Sequence, residues 1–327
     1  MDVDGHADGD GTMADGAVHD DFVLFGGTAN PGLAEAVARE LGVALGRSRV
    51  VRFPDGELSV SLLDSVRRKD VYLVQPTSPP VNDHLMELLA FADVCRRAAA
   101  GRVTAVVPYF GYARADRRDT RREPITASMV AALMQTAGIH QVLSVDLHTP
   151  QVEGFFQIPV DALSAVGEIA RSLAGTLPSD LTVVSPDAGR VRMATDYARL
   201  LGAPVAIIIK RRESGAETEV THLVGDVRGR ACLIVDDMIS SGGTLVSSIR
   251  ALRGAGAREF HIAATHGLLV GDACARLEAA GVREVVVTDT VAVPCRDWPR
   301  LRVISLAPLL GEVIRRMVSH ESISGMF

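Results

Sequence analysis

"CLIVDDMISSGGTLVSSI", from Cys232 to Ile249, decides the fold. Cys232–Val235 is an apolar run of strand character that reaches two adjacent carboxylates, Asp236 and Asp237. Small hydroxyl residues and two glycines follow, then Leu245, Ile249 and Leu252 at helical spacing. A strand feeding a glycine-rich turn that opens a helix makes an anion site. The glycines let backbone N–H groups approach, and the helix N-terminus adds positive partial charge. Ser240, Ser241 and Thr244 place hydroxyl donors around Gly242 and Gly243. Two carboxylates at the strand end suit the vicinal hydroxyls of a ribose whose phosphate sits in the turn. They would repel a polyphosphate that carried no metal. The chain has no GxxxxGK[ST] loop and no GxGxxG after a strand, which excludes the usual nucleotide fingerprints. An ordinary capped helix would explain "SGGT" alone; it does not explain the apolar run and both aspartates in register with it.

Outward from this stretch, short apolar runs alternate with helix-period segments, the pattern of a parallel α/β architecture. "DFVLFGG", "DVYLVQP", "RVTAVVPYF" and "QVLSVDLH" read as strands of a first series. Between them lie a helix capped by Asn30, with Pro31 in its first turn and Gly42 near its end, a helix started by Asn82 and one capped by Thr126. "LTVVSPDAG", "PVAIIIKRR", "RACLIVDD", "REFHIAATHG" and "REVVVTDT" repeat the theme. The expectation is an α/β fold of two similar halves, 21–165 and 166–306. An amphipathic segment at 307–327 is expected to return to the first half. Residues 1–20 are acidic and almost without bulky apolar side chains, and are expected to be a disordered tail rather than a targeting signal.

Composition sets the outer bounds. A chain of 327 residues, 47% hydrophobic and 23% charged, has the size and balance of about two globular domains. No apolar run approaches the ~18 residues of a membrane span, so no membrane partner is expected. Cys95, Cys232, Cys274 and Cys295 show no CxxC spacing, which points to a reducing, cytoplasmic setting. A net charge of -6 argues against a nucleic-acid partner. Lys69 and Lys210 are the only lysines among 34 basic residues. A position that keeps lysine against that bias can need its compact ammonium, although chance explains it equally well.

Four more stretches carry candidate chemistry. "RFPDGELSV" sets Phe53, Asp55, Gly56 and Glu57 together, either an aromatic to stack on a base beside two acceptors or a hairpin with a Pro-Asp-Gly turn. "VVPYFGYARADRRDTRREPIT" brings Arg114, Asp116, Arg117, Arg118, Arg121 and Arg122 straight off a strand. A βα loop of that charge reads as a polyphosphate clamp, with a solvated charged loop as the plain alternative. His148 in "SVDLH" and Asp187 in "VVSPDAG" end equivalent strands and together could serve Mg²⁺, which prefers oxygen ligands and keeps several waters. Lys210 and Arg212 lead off a strand into a polar segment able to close over a reacting phosphate.

Cys232–Thr244 resembles the thirteen-residue phosphoribosyl-pyrophosphate (PRPP) loop of the phosphoribosyltransferase fold. Together with "VNDHLMELL", "RVTAVVPYFGYAR", "VEGFFQIPVD", "VVSPDAG", "LVGDV" and "ESISGMF", the chain from about Asp21 to Phe327 resembles the ribose-phosphate pyrophosphokinase family. That resemblance implies two phosphoribosyltransferase-type, Rossmann-like domains with mainly parallel sheets. It implies transfer of the β,γ-pyrophosphoryl group of MgATP to ribose 5-phosphate, with ATP as substrate and Mg²⁺ as cofactor. Phe53, Asp55, Gly56, Glu57, Arg114, Ala115, Asp116 and Arg117 would then meet ATP, and His148 and Asp187 the metal. Asp236, Asp237 and Ser240 through Thr244 would hold ribose 5-phosphate, and Lys210 and Arg212 would be the catalytic cations. The resemblance also implies a cytoplasmic homohexamer with a regulatory phosphate site, to which Ser65, Arg67, Arg122, Ser322 and Ser324 correspond. Two departures stand out: Ala115 where the family usually has Gln, and Ser240–Ser241 where it usually has Asp-Thr. A PRPP-consuming phosphoribosyltransferase, or a catalytically silent regulatory relative, are the alternative readings.

Overall fold

The computed structural model of the chain describes residues 22–118, 120–211 and 219–326. Its first strand–helix series runs β1 (Phe22–Gly26), α1 (Pro31–Leu41), β2 (Ser48–Arg52), β3 (Leu58–Leu62), β4 (Asp70–Val74), α2 (Val81–Arg97), β5 (Arg102–Val107), α3 (Thr126–Ala137), β6 (Gln141–Val145) and β7 (Val160–Leu163). The second runs α4 (Val166–Leu173), β8 (Leu181–Ser185), α5 (Val191–Leu201), β9 (Val205–Arg211), β10 (Glu219–Val224), β11 (Ala231–Ile239), α6 (Gly243–Gly254), β12 (Glu259–Gly267), α7 (Ala273–Ala279), β13 (Glu284–Thr288), β14 (Leu301–Ile304) and α8 (Ala307–Val318). One sheet has the order β1-β4-β5-β6-β7, all parallel. The other has the order β10-β9-β8-β11-β12-β13-β14, parallel except for the antiparallel edge strand β10. The predicted class, α/β with mainly parallel sheets, is the observed one.

Alternate residues of each central strand feed different cores. In β11, Leu233 and Val235 enter a core that also holds Leu24, Val74, Leu143 and helices α1, α4, α5 and α8. Cys232 and Ile234 face the opposite way, into a core closed by α6 and α7. In β5 the same alternation sends Val106 to the shared core and Val103, Ala105 and Val107 to one closed by α2 and α3. Strands buried on both faces read as continuous apolar runs, which is why these were legible. The shared core carries side chains of both sheets, so the two halves meet through one hydrophobic layer.

Local signals explain most helix ends. Asn30 Oδ1 accepts the Leu33 N–H at 3.3 Å and Gly42 closes α1 with φ 68°. Thr126 is the first residue of α3 rather than its cap; Ile125 holds the cap position and supplies no side-chain bond. Helix α8 lies along α1, with Leu310, Val313 and Ile314 fully buried in the shared core. Each such side chain contributes about 1.5–3 kcal/mol on burial. Arg315 adds a 2.9 Å bond to the Glu40 carbonyl. The Pro-Asp-Gly stretch is the tip of an antiparallel hairpin, β2–β3, separate from both sheets.

Candidate active site

Strand β11 runs past its aspartates to Ile239, then Ser240, Ser241 and Gly242 turn the chain into α6. Gly242 takes φ 75°, the left-handed region that a glycine enters freely. This leaves the first N–H groups of a twelve-residue helix facing outward with no side-chain cap. The turn is braced from behind, since Leu269 N–H donates to Ile239 O at 2.9 Å and Val270 N–H to Ser240 O at 3.2 Å. Gly243 and Thr244 open into a cleft of about 2230 Å³. Arg114 to Arg117, His148, Asp187 and Arg190 line its other walls. Single-ligand pockets commonly span ~300–1,000 Å³, so this cleft has room for two substrates.

The floor is a four-residue network across the two halves. Asp237, 2% exposed, faces His148 Nδ1 at 2.8 Å through its Oδ2 and Arg190 Nη2 at 2.9 Å through its Oδ1. Arg190 Nε donates to Asp236 Oδ1 at 3.0 Å, and its Nη1 to the His148 carbonyl at 2.8 Å. Burial works against the charge on Asp237, but the His148 hydrogen bond and the Arg190 guanidinium hold its carboxyl well below the usual carboxylate range. Burial, and then the charge of Asp237, push Asp236 well above that range despite its own Arg190 contact. Asp237 is therefore the charged member of the pair, and Asp236 the one whose ionisation an incoming cation would favour.

His148 is held because the chain turns hard just before it. Asp146, at φ 39°, ends β6 and accepts Ala165 N–H at 2.9 Å, Ser164 Oγ at 3.0 Å and Thr265 Oγ1 at 2.5 Å. The loop after β6 is thus pinned to β12 of the other sheet. On the first-sheet side Thr149 Oγ1 donates to Asp116 Oδ2 at 2.7 Å, tying the charged loop to the same floor.

This arrangement sits in a chain with close relatives. A family described as the N-terminal domain of ribose phosphate pyrophosphokinase matches residues 22–138, and one described as the phosphoribosyl synthetase-associated domain matches 212–327. A ribose-phosphate pyrophosphokinase of Chromobacterium violaceum is 46% identical over 314 residues, 95% of this chain and 96% of that protein. One from a Nostoc species is 47% identical over 306 residues, 93% of each. The chain belongs to the ribose-phosphate pyrophosphokinase family. Among solved structures, the phosphoribosylpyrophosphate synthetase of Mycobacterium smegmatis superposes with a TM-score of 0.86 at 42% identity, covering 92% of this chain and 100% of that one.

For this member of the pyrophosphokinase family, the residues singled out in the sequence divide by place. Arg114, Ala115, Asp116, Arg117, His148, Asp187, Gly243 and Thr244 all line the cleft; Asp236 and Asp237 lie behind its lining, bonded to Arg190, and Ser240, Ser241 and Gly242 form the turn without lining it. Phe53, Asp55, Gly56 and Glu57 do not line it; they occupy the hairpin tip, with Phe53 47% exposed. Arg118, Arg121 and Arg122 are exposed outside it. Arg212 lies outside the described residues, and of Lys210 only the backbone, in β9, is described. Ser65, Arg67, Ser322 and Ser324 are exposed, and among the described residues no hydrogen bond joins the first two to the last two. The sequence reading passed over Arg190; its signal was a basic side chain three residues after Asp187, in a βα turn.

Among the described residues no group of three or more His, Cys, Asp or Glu could hold a metal ion. Asp187 spends one oxygen on the Gly189 N–H at 2.8 Å, which shapes its own turn. One carboxylate and one imidazole are too few for a protein-only Mg²⁺ cage. They do fit a cation that arrives already carrying phosphate oxygens and waters.

Proposed function

We propose that the chain is a ribose-phosphate diphosphokinase, moving the β,γ-pyrophosphoryl group of MgATP to the anomeric hydroxyl of ribose 5-phosphate. One observation carries the reading: Gly243 and Thr244 at the start of α6 share one cleft with Arg114–Arg117, His148 and Arg190, and Arg190 bonds the Asp236–Asp237 pair just before the turn. The N–H groups at the start of α6, with Ser240, Ser241 and Thr244, receive the 5-phosphate. Asp236 and Asp237 accept from the ribose hydroxyls, and Arg114 and Arg117 face the polyphosphate. His148 and Asp187 hold the metal–nucleotide complex; bound Mg²⁺ would supply charge neutralisation on the phosphate oxygens.

The anomeric oxygen bonds to the β-phosphorus as the bond from that phosphorus to the oxygen bridging to the α-phosphate breaks. The hydroxyl proton is released and AMP leaves. Such a step asks the protein for in-line positioning and positive charge more than for covalent help. In this reading Lys210, near the end of β9, and Arg212 supply that charge.

The hairpin tip serves the adenine of a neighbouring copy. Its exposed Phe53 and its distance from its own cleft support this, as does the homohexamer that the family resemblance implies. The cytoplasm, with its thiols reduced, is the setting this reading requires.

The experiment is phosphorus NMR of the purified protein with Mg²⁺, ATP and ribose 5-phosphate, with and without free phosphate. AMP and PRPP are expected together, faster with phosphate if Ser65, Arg67, Arg122, Ser322 and Ser324 belong to a regulatory site. ADP in place of AMP would make the protein a simple kinase. No reaction in either buffer would favour the silent relative.

A further inference from the structure

Arg190 has no part in the reading given so far, yet it bridges both halves of the cleft. It is 13% exposed and touches three partners at once: Asp236 through Nε, Asp237 and the His148 ring through Nη2, and the His148 carbonyl through Nη1. Its backbone is fixed. Ser185 Oγ donates to the Asp187 carbonyl at 2.6 Å, Asp187 caps Gly189, and α5 starts at the next residue, Val191. The side chain therefore leaves a rigid turn and reaches into the floor with little freedom.

Two adjacent carboxyl groups buried at a strand end need donors to fix their orientation. A guanidinium is a planar fork that can bond both at defined angles, where an ammonium offers one point of charge. Arg190 and the Asp237 amide both donate to Asp236 Oδ1, and among the described residues no other donor reaches that carboxylate. The Asp236 carboxyl also shares a hydrogen bond with that of Asp237, so the pair is held as one unit.

We propose that Arg190 is a positioning residue for the sugar. Its fork holds Asp236 and Asp237 in the orientation that receives the ribose hydroxyls and ties them to His148 of the other half. This rests on the assignment of the turn and aspartates to ribose 5-phosphate.

The test uses the full chain with Arg190→Ala, Arg190→Gln and Arg190→Lys. The KM for ribose 5-phosphate should rise about tenfold or more in R190A and R190Q, as expected for lost charge-assisted bonds that orient a binding group. The KM for ATP should rise by a clearly smaller factor, because Arg190 reaches the nucleotide side only through His148, which Asp237 also holds at 2.8 Å. R190K should recover only part of the loss, and free guanidinium ion at non-denaturing concentration should restore R190A more than ammonium does.

Calorimetric binding of ribose 5-phosphate reads the same effect without turnover and separates the two ideas. A wild-type protein that makes PRPP and binds the sugar no better than R190A and R190Q overturns the inference alone. A wild-type protein that does not bind ribose 5-phosphate overturns the functional reading as well. A fall in kcat with both KM values unchanged would make Arg190 a cation of the transfer step and also overturn the proposal. Should R190A fail to fold, R190Q, nearly isosteric and uncharged, carries the measurement.

Discussion

Gly242 is the residue on which the turn into α6 depends. Its φ of 75° would cost an alanine about 1–2 kcal/mol, although there is room for the added carbon, with Leu277 Cγ 3.5 Å away. Gly242→Ala is therefore expected to lower stability by about 1 kcal/mol in urea unfolding and to raise the KM for ribose 5-phosphate. An unchanged KM would place the phosphate elsewhere. Lys210→Ala is expected to cut turnover about 10²–10³-fold while calorimetry finds ribose 5-phosphate affinity intact; a wild-type rate would remove Lys210 from the chemistry. At this scale much could be read from sequence, because Asp236, Asp237 and the turn are contiguous. Arg190 could not: its three partners lie 42 to 47 positions away along the chain in either direction, and only folding brings them together.

Among the elements, the long interior strands were legible and the edges were not. β11 is buried at eight of its nine positions and reads as an apolar run. β7, β10 and β14 escaped notice because an edge strand loses that signature: every residue of β14 is only half-buried, as are three of the four in β7. The hairpin shows a different limit. Its Pro-Asp-Gly signal correctly marks a turn, but no local pattern says which molecule the tip will face. Helix α8 had a readable apolar stripe, and its partner α1 was a matter of packing. Gly311 sits at their crossing, where an added side-chain carbon would come within 2.8 Å of Glu40 Cβ. Gly311→Val should destabilise the chain by about 1–3 kcal/mol through overpacking, read as a lower urea midpoint; an unchanged midpoint would mean that α8 contributes little to holding the halves.

At the scale of the molecule, the two halves are joined by the shared core and by polar pins beside the cleft. His266, fully buried on β12, is one of them. Its Nε2 faces the Asp146 carbonyl at 3.3 Å and can only donate there, so its Nδ1 accepts from the Thr290 hydroxyl at 2.9 Å. Burial lowers its pKa from 6.5, against the pull of Asp237 and Asp146. Above that value both folded and unfolded chains are neutral at this site. Below it the unfolded chain takes up a proton that the folded one refuses, so stability falls with pH, by at most about 1.4 kcal/mol per unit. Urea unfolding between pH 5 and 8 should show this slope, and His266→Gln should flatten it. An identical slope in the variant would assign the pH dependence to other groups.

The sequence by itself determined the fold class, the glycine turn that follows the carboxylate pair, and the family, because each rests on contiguous residues or on the period of an apolar run. The tertiary structure decided what distance along the chain conceals. It set His148 against Asp237 across 89 positions, placed Arg190 between the two aspartates, and left Phe53 outside its own cleft. Local patterns encode local geometry; contacts between the halves arise only when two sheets close on one core.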